Sequence, residues 1–176
     1  ETELLVERAL LLAMERYSDA TCLIADVGTG CGNIGISLAI HLSNARVYAT
    51  DIFPQALAVA RENCERHNIL DRVVLLEGDL LAPVPSPVDI IVANLPYIPT
   101  SRLAGLQPEI AYEPRGALDG GPKGLDLIER LLAQAAQGGR ASGGVILLEC
   151  DPDQALALAA MARNLFPGAR FSVEKD

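Results

Sequence analysis

Four consecutive residues, Asn94-Leu95-Pro96-Tyr97, follow a continuous apolar run at 88–93. The Asn94 side-chain oxygen and the Leu95 carbonyl could each accept one N–H of a planar amino or amide group, and Tyr97 could stack on its flat face. Such a nitrogen is a poor nucleophile because its lone pair is delocalised. Acceptors on its N–H groups favour the positive charge that develops as it takes a methyl group from a sulfonium cofactor. The turn therefore predicts methyl transfer by alignment, although Asn and Pro also occur in turns that only end a strand.

A glycine-rich segment, Asp-Val-Gly-Thr-Gly-Cys-Gly at residues 26–32, separates an apolar run at 22–27 from a helical pattern at 33–43. Alternate glycines permit a tight turn and let a ligand approach the backbone closely. Residues 30–35 also satisfy the GxGxxG spelling of dinucleotide sites. The register argues against that assignment, because counting from the turn itself places Asn33 where the third glycine should be. The alternative is a turn that only links a strand to a helix.

Acidic residues lie at the ends of three successive apolar runs: Asp26, Asp51 and Asp79. Asp51 lies roughly 20 residues past the glycine segment, where a carboxylate accepts both hydroxyls of a ribose. Asp79 lies where a carboxylate could accept a hydrogen bond from an adenine amino group. Each residue alone could be a helix cap or a turn residue. Three acids at three successive strand ends are harder to explain in that way. The position of Asp51 suits NAD and S-adenosylmethionine equally.

The elements that must position these residues alternate along the chain. Apolar runs predict strands at 22–27, 46–51, 72–77, 88–93, 144–149 and 169–174. Helical spacing predicts helices at 3–16, 33–43, 54–68, 124–137 and 153–165. Alternation of this kind predicts an α/β fold with a doubly wound, mostly parallel sheet. Such sheets bind ligands beyond the carboxyl ends of their strands, where the strand order reverses.

Length and composition limit the class of protein. A chain of 176 residues suits one domain, and its net charge of −9 argues against stable binding to a nucleic-acid backbone. Four cysteines without CxxC spacing and two histidines predict that no metal is bound. Free thiols and the lack of a signal peptide predict a cytoplasmic protein, and no apolar run approaches the roughly 20 residues of a membrane span. Because the chain begins without Met, we expect part of a longer protein; we also expect a monomer.

Three segments carry a resemblance to a known family. The turn at 94–97 is similar to the (Asn/Asp)-Pro-Pro-Tyr motif of Rossmann-like amino-methyltransferases. Residues 1–7 (Glu-Thr-Glu-Leu-Leu-Val-Glu) look like the end of the Pro-Arg-Pro-Glu-Thr-Glu segment of the HemK/PrmC family, the release-factor glutamine methyltransferases. Residues 113–118 (Glu-Pro-Arg-Gly-Ala-Leu), with Gly-Gly at 120–121 and Gly-Leu-Asp at 124–126, resemble a further stretch of that family. The resemblance covers essentially the whole chain.

The resemblance implies a class I S-adenosylmethionine-dependent methyltransferase. Its expected activity is methylation of the side-chain amide nitrogen (N5) of the glutamine in the Gly-Gly-Gln motif of peptide chain release factors, leaving S-adenosyl-L-homocysteine. Residues 1–176 would be the catalytic domain, without the family's N-terminal helical domain and final strand. Residues 95–123, which lack clear periodicity, would form a wall of the glutamine pocket, since so long an irregular stretch is usually functional.

Other functions stay open at this point. Leu95 stands where proline is commoner, and the same spelling occurs in rRNA adenine dimethyltransferases, so an N6-adenine methyltransferase acting on DNA or rRNA is the main alternative. A binding module without catalysis and an NAD-dependent oxidoreductase are alternatives from other classes.

The resemblance also implies the site residues. The expected cofactor-binding residues are Asp26, Gly28, Thr29, Gly30, Gly32, Asp51, Ile52, Asp79, Leu80 and Asn94. The expected catalytic residues are Asn94, Pro96 and Tyr97, and the substrate-binding residues are these three with Leu95 and Glu113. The glycines would line the methionine part of the cofactor, with Asp26 near its amino group. Asp51 would hold the ribose, Asp79 and Leu80 the adenine, and Glu113 would support the substrate loop.

Overall fold

The computed structural model describes residues 2–106 and 114–174. Contacts divide the chain into two compact units, which are treated separately below. The sheet unit comprises Glu1–Asn94 and Gln137–Glu149, and the helical unit comprises Leu95–Ala136 and Cys150–Asp176. The chain first crosses from one unit to the other between Asn94 and Leu95, inside the predicted catalytic turn.

The described strands and helices follow the predicted order. The strands are β1 (Cys22–Val27), β2 (Ala45–Asp51), β3 (Val73–Glu77), β4 (Val88–Ala93) and β5 (Arg140–Leu148). The α-helices are α1 (Thr2–Arg16), α2 (Asn33–His41), α3 (Pro54–Arg66), α4 (Asp126–Gln134) and α5 (Ala155–Leu165). Short 3₁₀ helices cover Thr100–Gly105, Arg115–Ala117 and Pro152–Gln154, and a π-type turn covers Ala135–Gly139.

The five strands form one parallel sheet in the order β3-β2-β1-β4-β5. The strand order reverses at β1, as in doubly wound sheets. Val27 at the end of β1 is in register with Thr50 of β2 and Ala93 of β4. The residues that follow β1, β2 and β4 therefore emerge side by side at one edge of the sheet. The predicted fold class is confirmed.

The core of the sheet unit follows from local sequence pattern. Five of the six β1 residues are buried, as expected when both faces of a parallel sheet are covered. In α1, Leu5, Ala9 and Ala13 recur every four residues and are the buried positions of that helix. They join side chains of α2 and of the strands in one apolar cluster. α3 begins at Pro54, whose fixed φ suits the first turn of a helix.

The helical unit orders much of the predicted irregular stretch. A parallel bridge joins Ile98 to Asp119, and hydrogen bonds run from Ile98 N to Leu118 O (3.1 Å) and from Gly120 N to Ile98 O (2.9 Å). α4 buries Ile128, Leu131 and Leu132, which lie on one face of the helix. The described parts of the stretch are thus held by backbone pairing.

The predicted sixth strand at 169–174 is wrong, because these residues have no regular secondary structure. Their alternation of apolar and polar residues fits a half-buried strand, but a strand forms only where a neighbour completes its backbone hydrogen bonds. In the structure the Arg163 Cζ atom of α5 lies 5.7 Å from the centroid of the Phe171 ring, and Val173 is 62% exposed.

The bounds of another strand also differ from the prediction, because β5 begins earlier, at Arg140. Among the described residues, no helix has both the length and the apolar character needed to cross a membrane.

Candidate active site

The Asp26 carboxylate holds the glycine loop through hydrogen bonds. This residue lies in β1 and is wholly buried. Its Oδ2 accepts hydrogen bonds from Thr29 Oγ1 (2.5 Å) and from Gly35 N (2.8 Å). Gly35 must be glycine because a Cβ there would lie 2.8 Å from the same Oδ2. One carboxylate oxygen thus ties the end of β1, the loop and the first turn of α2 together.

The other carboxylate oxygen of Asp26, Oδ1, differs from Oδ2 in its surroundings. Oδ1 is buried and has no hydrogen-bond partner among the described residues. Burial raises the pKa of Asp26 to about 6, against the hydrogen bonds from Thr29 and Gly35, which lower it. The nearby charge of Asp51 raises this pKa further. A buried acceptor without a partner is costly, and a cationic donor would relieve that cost.

The Asp51 carboxylate, at the end of β2, also accepts hydrogen bonds from nearby backbone N–H groups. Its Oδ2 accepts a hydrogen bond from Gly30 N and its Oδ1 one from Phe53 N, both at 2.9 Å. A carboxylate offers about four acceptor positions, so each oxygen can still accept from a hydroxyl. The side chain is 8% exposed. Asp51 therefore braces the loop and remains able to bind a vicinal diol.

The loop glycines have backbone conformations that other residues rarely adopt. Gly28, Gly30 and Gly32 have φ values of 71°, 57° and 90°. A Cβ added at Gly30 would meet nothing within 4 Å, so the space beside its backbone is open. Thr29 N and Gly28 N both donate to Thr50 O at 2.9 Å. Hydrogen bonds thus hold the loop backbone, while the space beside Gly30 stays open.

Further cofactor candidates follow β2 and β3. Ile52 and Phe53 are 58% and 48% exposed, so two apolar side chains stand in solvent directly after Asp51. Asp79 is half-buried. Leu80 is buried and has a φ of 54°, a left-handed conformation that costs a non-glycine residue about 1–2 kcal/mol. Backbone strain of this kind concentrates at ligand sites.

Asn94 follows β4, beside the loop that follows β1. Because Ala93 is in register with Val27, Asn94 and Gly28 leave adjacent strands at the point where the strand order reverses. The Asn94 Nδ2 donates to Thr2 Oγ1 at 3.0 Å. In turn, Thr2 Oγ1 donates to Glu149 Oε2 at 3.1 Å. Asp26, the glycines, Asp51 and Asn94 thus belong to one edge of one sheet.

The rest of the predicted turn belongs to the helical unit. Leu95 is 4% exposed, while Pro96 and Tyr97 are half-buried. The backbone of this turn is closely packed: a Cβ at Gly120 would lie 2.6 Å from Pro96 O, and one at Gly124 would collide with Tyr97 O. Glu113 lies outside the described residues, and its predicted role stays a prediction.

Gln154 secures this packing and was not among the predicted site residues. Its side chain is 7% exposed. Its Nε2 lies within hydrogen-bonding distance of three carbonyls: Tyr97 O (2.8 Å), Lys123 O (3.1 Å) and Gly124 O (3.3 Å). Its Oε1 accepts from Asp151 N at 3.1 Å. A glutamine in an otherwise Ala- and Leu-rich helical segment is a weak signal, because its partners lie far away in the sequence.

A family comparison identifies the class of protein to which the chain belongs. A family model described as "Ribosomal protein L11 methyltransferase (PrmA)" matches residues 8–111, more than half of the chain. The chain belongs to this family of methyltransferases. The matched residues include the glycine loop, Asp51, Asp79 and Asn94.

The chain is also similar in sequence to named methyltransferases. It is 49% identical to the release factor glutamine methyltransferase of Moorella thermoacetica, over 93% of this chain and 56% of the relative. It is 42% identical to the protein of the same name in Geobacter sulfurreducens, over 92% of this chain and 55% of the relative. The resemblance to the HemK/PrmC family is confirmed. The chain spans about half the length of these relatives.

A solved structure confirms the architecture. The fold is similar to that of a methyltransferase from Pyrococcus furiosus, with a TM-score of 0.61 and 21% identity. The match covers 92% of this chain and 71% of that one. The fold is the Rossmann-like class I methyltransferase fold, as predicted.

Proposed function

We propose that this protein transfers a methyl group from S-adenosylmethionine to the side-chain amide nitrogen of the glutamine in the Gly-Gly-Gln motif of peptide chain release factors. The observation that carries the proposal is the orientation of Asn94. Its Nδ2 is committed to Thr2 Oγ1, so its Oδ1 is the atom left to accept an N–H of the substrate amide. This acceptor stands at the strand-order reversal, beside the glycine loop.

The residues of the loop fit the proposed cofactor. The unpartnered Oδ1 of Asp26 suits the ammonium of the methionine part, and the open backbone at Gly30 suits its close approach, with Gly28, Thr29 and Gly32 shaping the loop. Asp51 would accept the ribose hydroxyls. S-Adenosylmethionine, when bound, supplies an electrophilic methyl group on a positively charged sulfur.

The adenine part of the cofactor would lie beyond β2 and β3. The exposed Ile52 side chain suits contact with one face of the base. Asp79 would accept from the adenine amino group, and the strained backbone of Leu80 would lie beside the base.

The chain's own residues then act mainly by alignment. In this proposal, Asn94 Oδ1 and the Leu95 carbonyl each accept one N–H of the glutamine amide. Both acceptors favour the positive charge that develops on nitrogen. Pro96 fixes the turn, Tyr97 covers the flat face of the amide, and Glu113 supports the loop. No general base is needed before methyl transfer, because the methylated nitrogen loses its proton easily.

The relatives favour glutamine over adenine as the acceptor. The two described above are named for glutamine methylation, and the net charge of −9 disfavours a nucleic-acid substrate. In this proposal residues 1–176 form the catalytic domain of a monomeric enzyme whose protein partner is the release factor. Since release factors act in translation, the enzyme would work in the cytoplasm.

The test is transfer of labelled methyl from S-adenosylmethionine by the protein as its gene encodes it. The acceptors are a release factor, the same factor with Gly-Gly-Gln changed to Gly-Gly-Glu, and DNA or rRNA. We expect label in the first acceptor alone. Label in nucleic acid alone would establish the adenine alternative, and tight NAD binding by calorimetry would overturn the choice of cofactor.

A further inference from the structure

A chain of two hydrogen bonds connects Asn94 to a carboxylate behind it. The Glu149 Oε2 accepts from Thr2 Oγ1 at 3.1 Å, and Thr2 Oγ1 accepts from Asn94 Nδ2 at 3.0 Å. All three side chains are partly buried and belong to the sheet unit. Loss of such partners is costly away from bulk water.

The chemistry of the three groups determines the direction of these bonds. An ionised carboxylate only accepts, whereas a hydroxyl has one proton to donate. The single proton of Thr2 is used for Glu149, so towards Asn94 the hydroxyl oxygen can only accept. The Asn94 amide must therefore turn its NH₂ group to Thr2 and its oxygen away from it. Side-chain amide orientation is otherwise ambiguous and follows from the network around it.

The two hydrogen bonds that link Asn94 to Glu149 through Thr2 also affect how strongly Asn94 Oδ1 accepts a hydrogen bond. Hydrogen bonds in series polarise one another, most strongly where one end is charged. An N–H that donates to an oxygen polarised by a carboxylate pushes electron density within its amide towards Oδ1. A more negative Oδ1 stabilises the positive charge that develops on a methylated nitrogen. The benefit is greatest in the transition state, where that charge appears.

The fold brings these residues together for a simple reason. Ala93 of β4 is in register with Leu148 of β5, so Asn94 and Glu149 are the next residues beyond two neighbouring strands. The Glu149 N–H also donates to Ala93 O at 3.2 Å. α1 packs against both β4 and β5, and Thr2 is its first residue.

We propose that Thr2 and Glu149 are positioning residues that orient and polarise the Asn94 amide for methyl transfer. The inference rests on the proposed function, because it assigns Asn94 Oδ1 the role of acceptor for the substrate N–H. It gives the start of α1 a part in catalysis.

The test compares Thr2→Val, Thr2→Ser and Glu149→Gln in the protein as its gene encodes it. Valine matches threonine in shape but has no hydroxyl, whereas serine keeps the hydroxyl. We expect Thr2→Val to lower kcat for release-factor methylation about ten- to a hundredfold, with KM and cofactor affinity nearly unchanged. Thr2→Ser should keep most of kcat. Glu149→Gln, which keeps an acceptor but loses the charge, should lower kcat about three- to tenfold.

Matched controls separate this role from helix stability. Glu3→Gln removes an exposed carboxylate from the same first turn of α1, and Thr21→Val makes the same exchange at an exposed site. Both should leave kcat unchanged. Wild-type kcat in Thr2→Val would overturn the inference, as would an equal loss in Thr2→Ser.

A second measurement does not depend on activity. The side-chain NH₂ resonances of Asn94, assigned by their loss in Asn94→Ala, should shift in Thr2→Val and much less in Thr2→Ser. Unchanged resonances in Thr2→Val would refute the inference that Thr2 orients and polarises the Asn94 amide. If the wild-type protein methylates no release factor, the proposed function fails, and the resonances still decide whether Thr2 orients Asn94.

Discussion

The glycine loop at residues 26–35 and the turn segment, the described residues 95–106 and 114–124, both contain several glycines, but they are held in different ways. In the glycine loop, Asp26 and Asp51 bind backbone and hydroxyl groups that lie 3, 9 and 21 residues away in the chain. In the turn segment, Gln154 reaches back 57 residues to Tyr97 O. The loop is thus fixed by carboxylates within one βαβ unit, and the segment by contacts between distant parts of the chain.

The glycines differ accordingly. At Gly30 the absence of a side chain leaves open space, whereas at Gly124 it allows another stretch of backbone to approach. In the proposed function the space beside Gly30 admits the cofactor, whereas the close contact at Gly124 shapes the turn. The same substitution is therefore expected to cost much more stability at Gly124 than at Gly30.

The largest expected effect is that of Gly124→Ala. Gly124 has a φ of 72°, and an added Cβ would collide with Tyr97 O and Gln154 Nε2. We expect a loss of about 4 kcal/mol in the free energy of unfolding, from left-handed strain and overpacking together, measured by urea denaturation. The matched substitution Gly30→Ala, with a φ of 57° and open space around it, should cost only the strain of about 1–2 kcal/mol. Equal losses at the two sites would contradict the distinction between them.

The next largest effect is expected for Asn94→Ala, which removes the proposed acceptor for the substrate amide. Removal of one acceptor aimed at developing charge should lower kcat about 100- to 1000-fold, or about 3–4 kcal/mol of transition-state stabilisation. Cofactor affinity, measured by calorimetry, should change little because the glycine loop keeps its own hydrogen bonds. Persistent activity would show that Asn94 is not catalytic.

The difference between local contacts and contacts between distant residues also explains which features could be predicted from the sequence. The strands, the glycine loop and the acids at the strand ends depend on local pattern, and the fold class followed from them. Gln154, Thr2 and Glu149 escaped prediction as site residues because their roles depend on strand register and on contacts between distant residues. Residues 169–174 show the opposite error: their alternation was suitable for a strand, but alternation cannot supply a pairing partner.

A smaller effect is expected from the titration of Asp26. Its pKa is about 6 in the folded protein and 3.8 in the ordinary reference state. Between these values the folded state holds a proton that the unfolded state has lost, so stability falls as pH rises. Relative to Asp26→Asn, the wild-type free energy of unfolding should drop by about 2.4 kcal/mol from pH 4 to pH 7. A cofactor ammonium near Asp26 would favour the ionised form, so affinity should rise through about pH 6. A flat difference between the two proteins would show that Asp26 keeps its ordinary pKa.

The smallest effect is expected for Gln154→Leu, which tests how the turn segment is closed. Leucine has a similar volume but leaves the carbonyls of Tyr97, Lys123 and Gly124 without the Nε2 donor. Loss of a buried donor should cost about 2 kcal/mol of unfolding free energy and raise KM for the release factor, with cofactor affinity unchanged. Glu62→Gln, on the exposed face of α3, serves as the control. If Gln154→Leu weakened cofactor binding as much as substrate binding, the two regions would not be held independently.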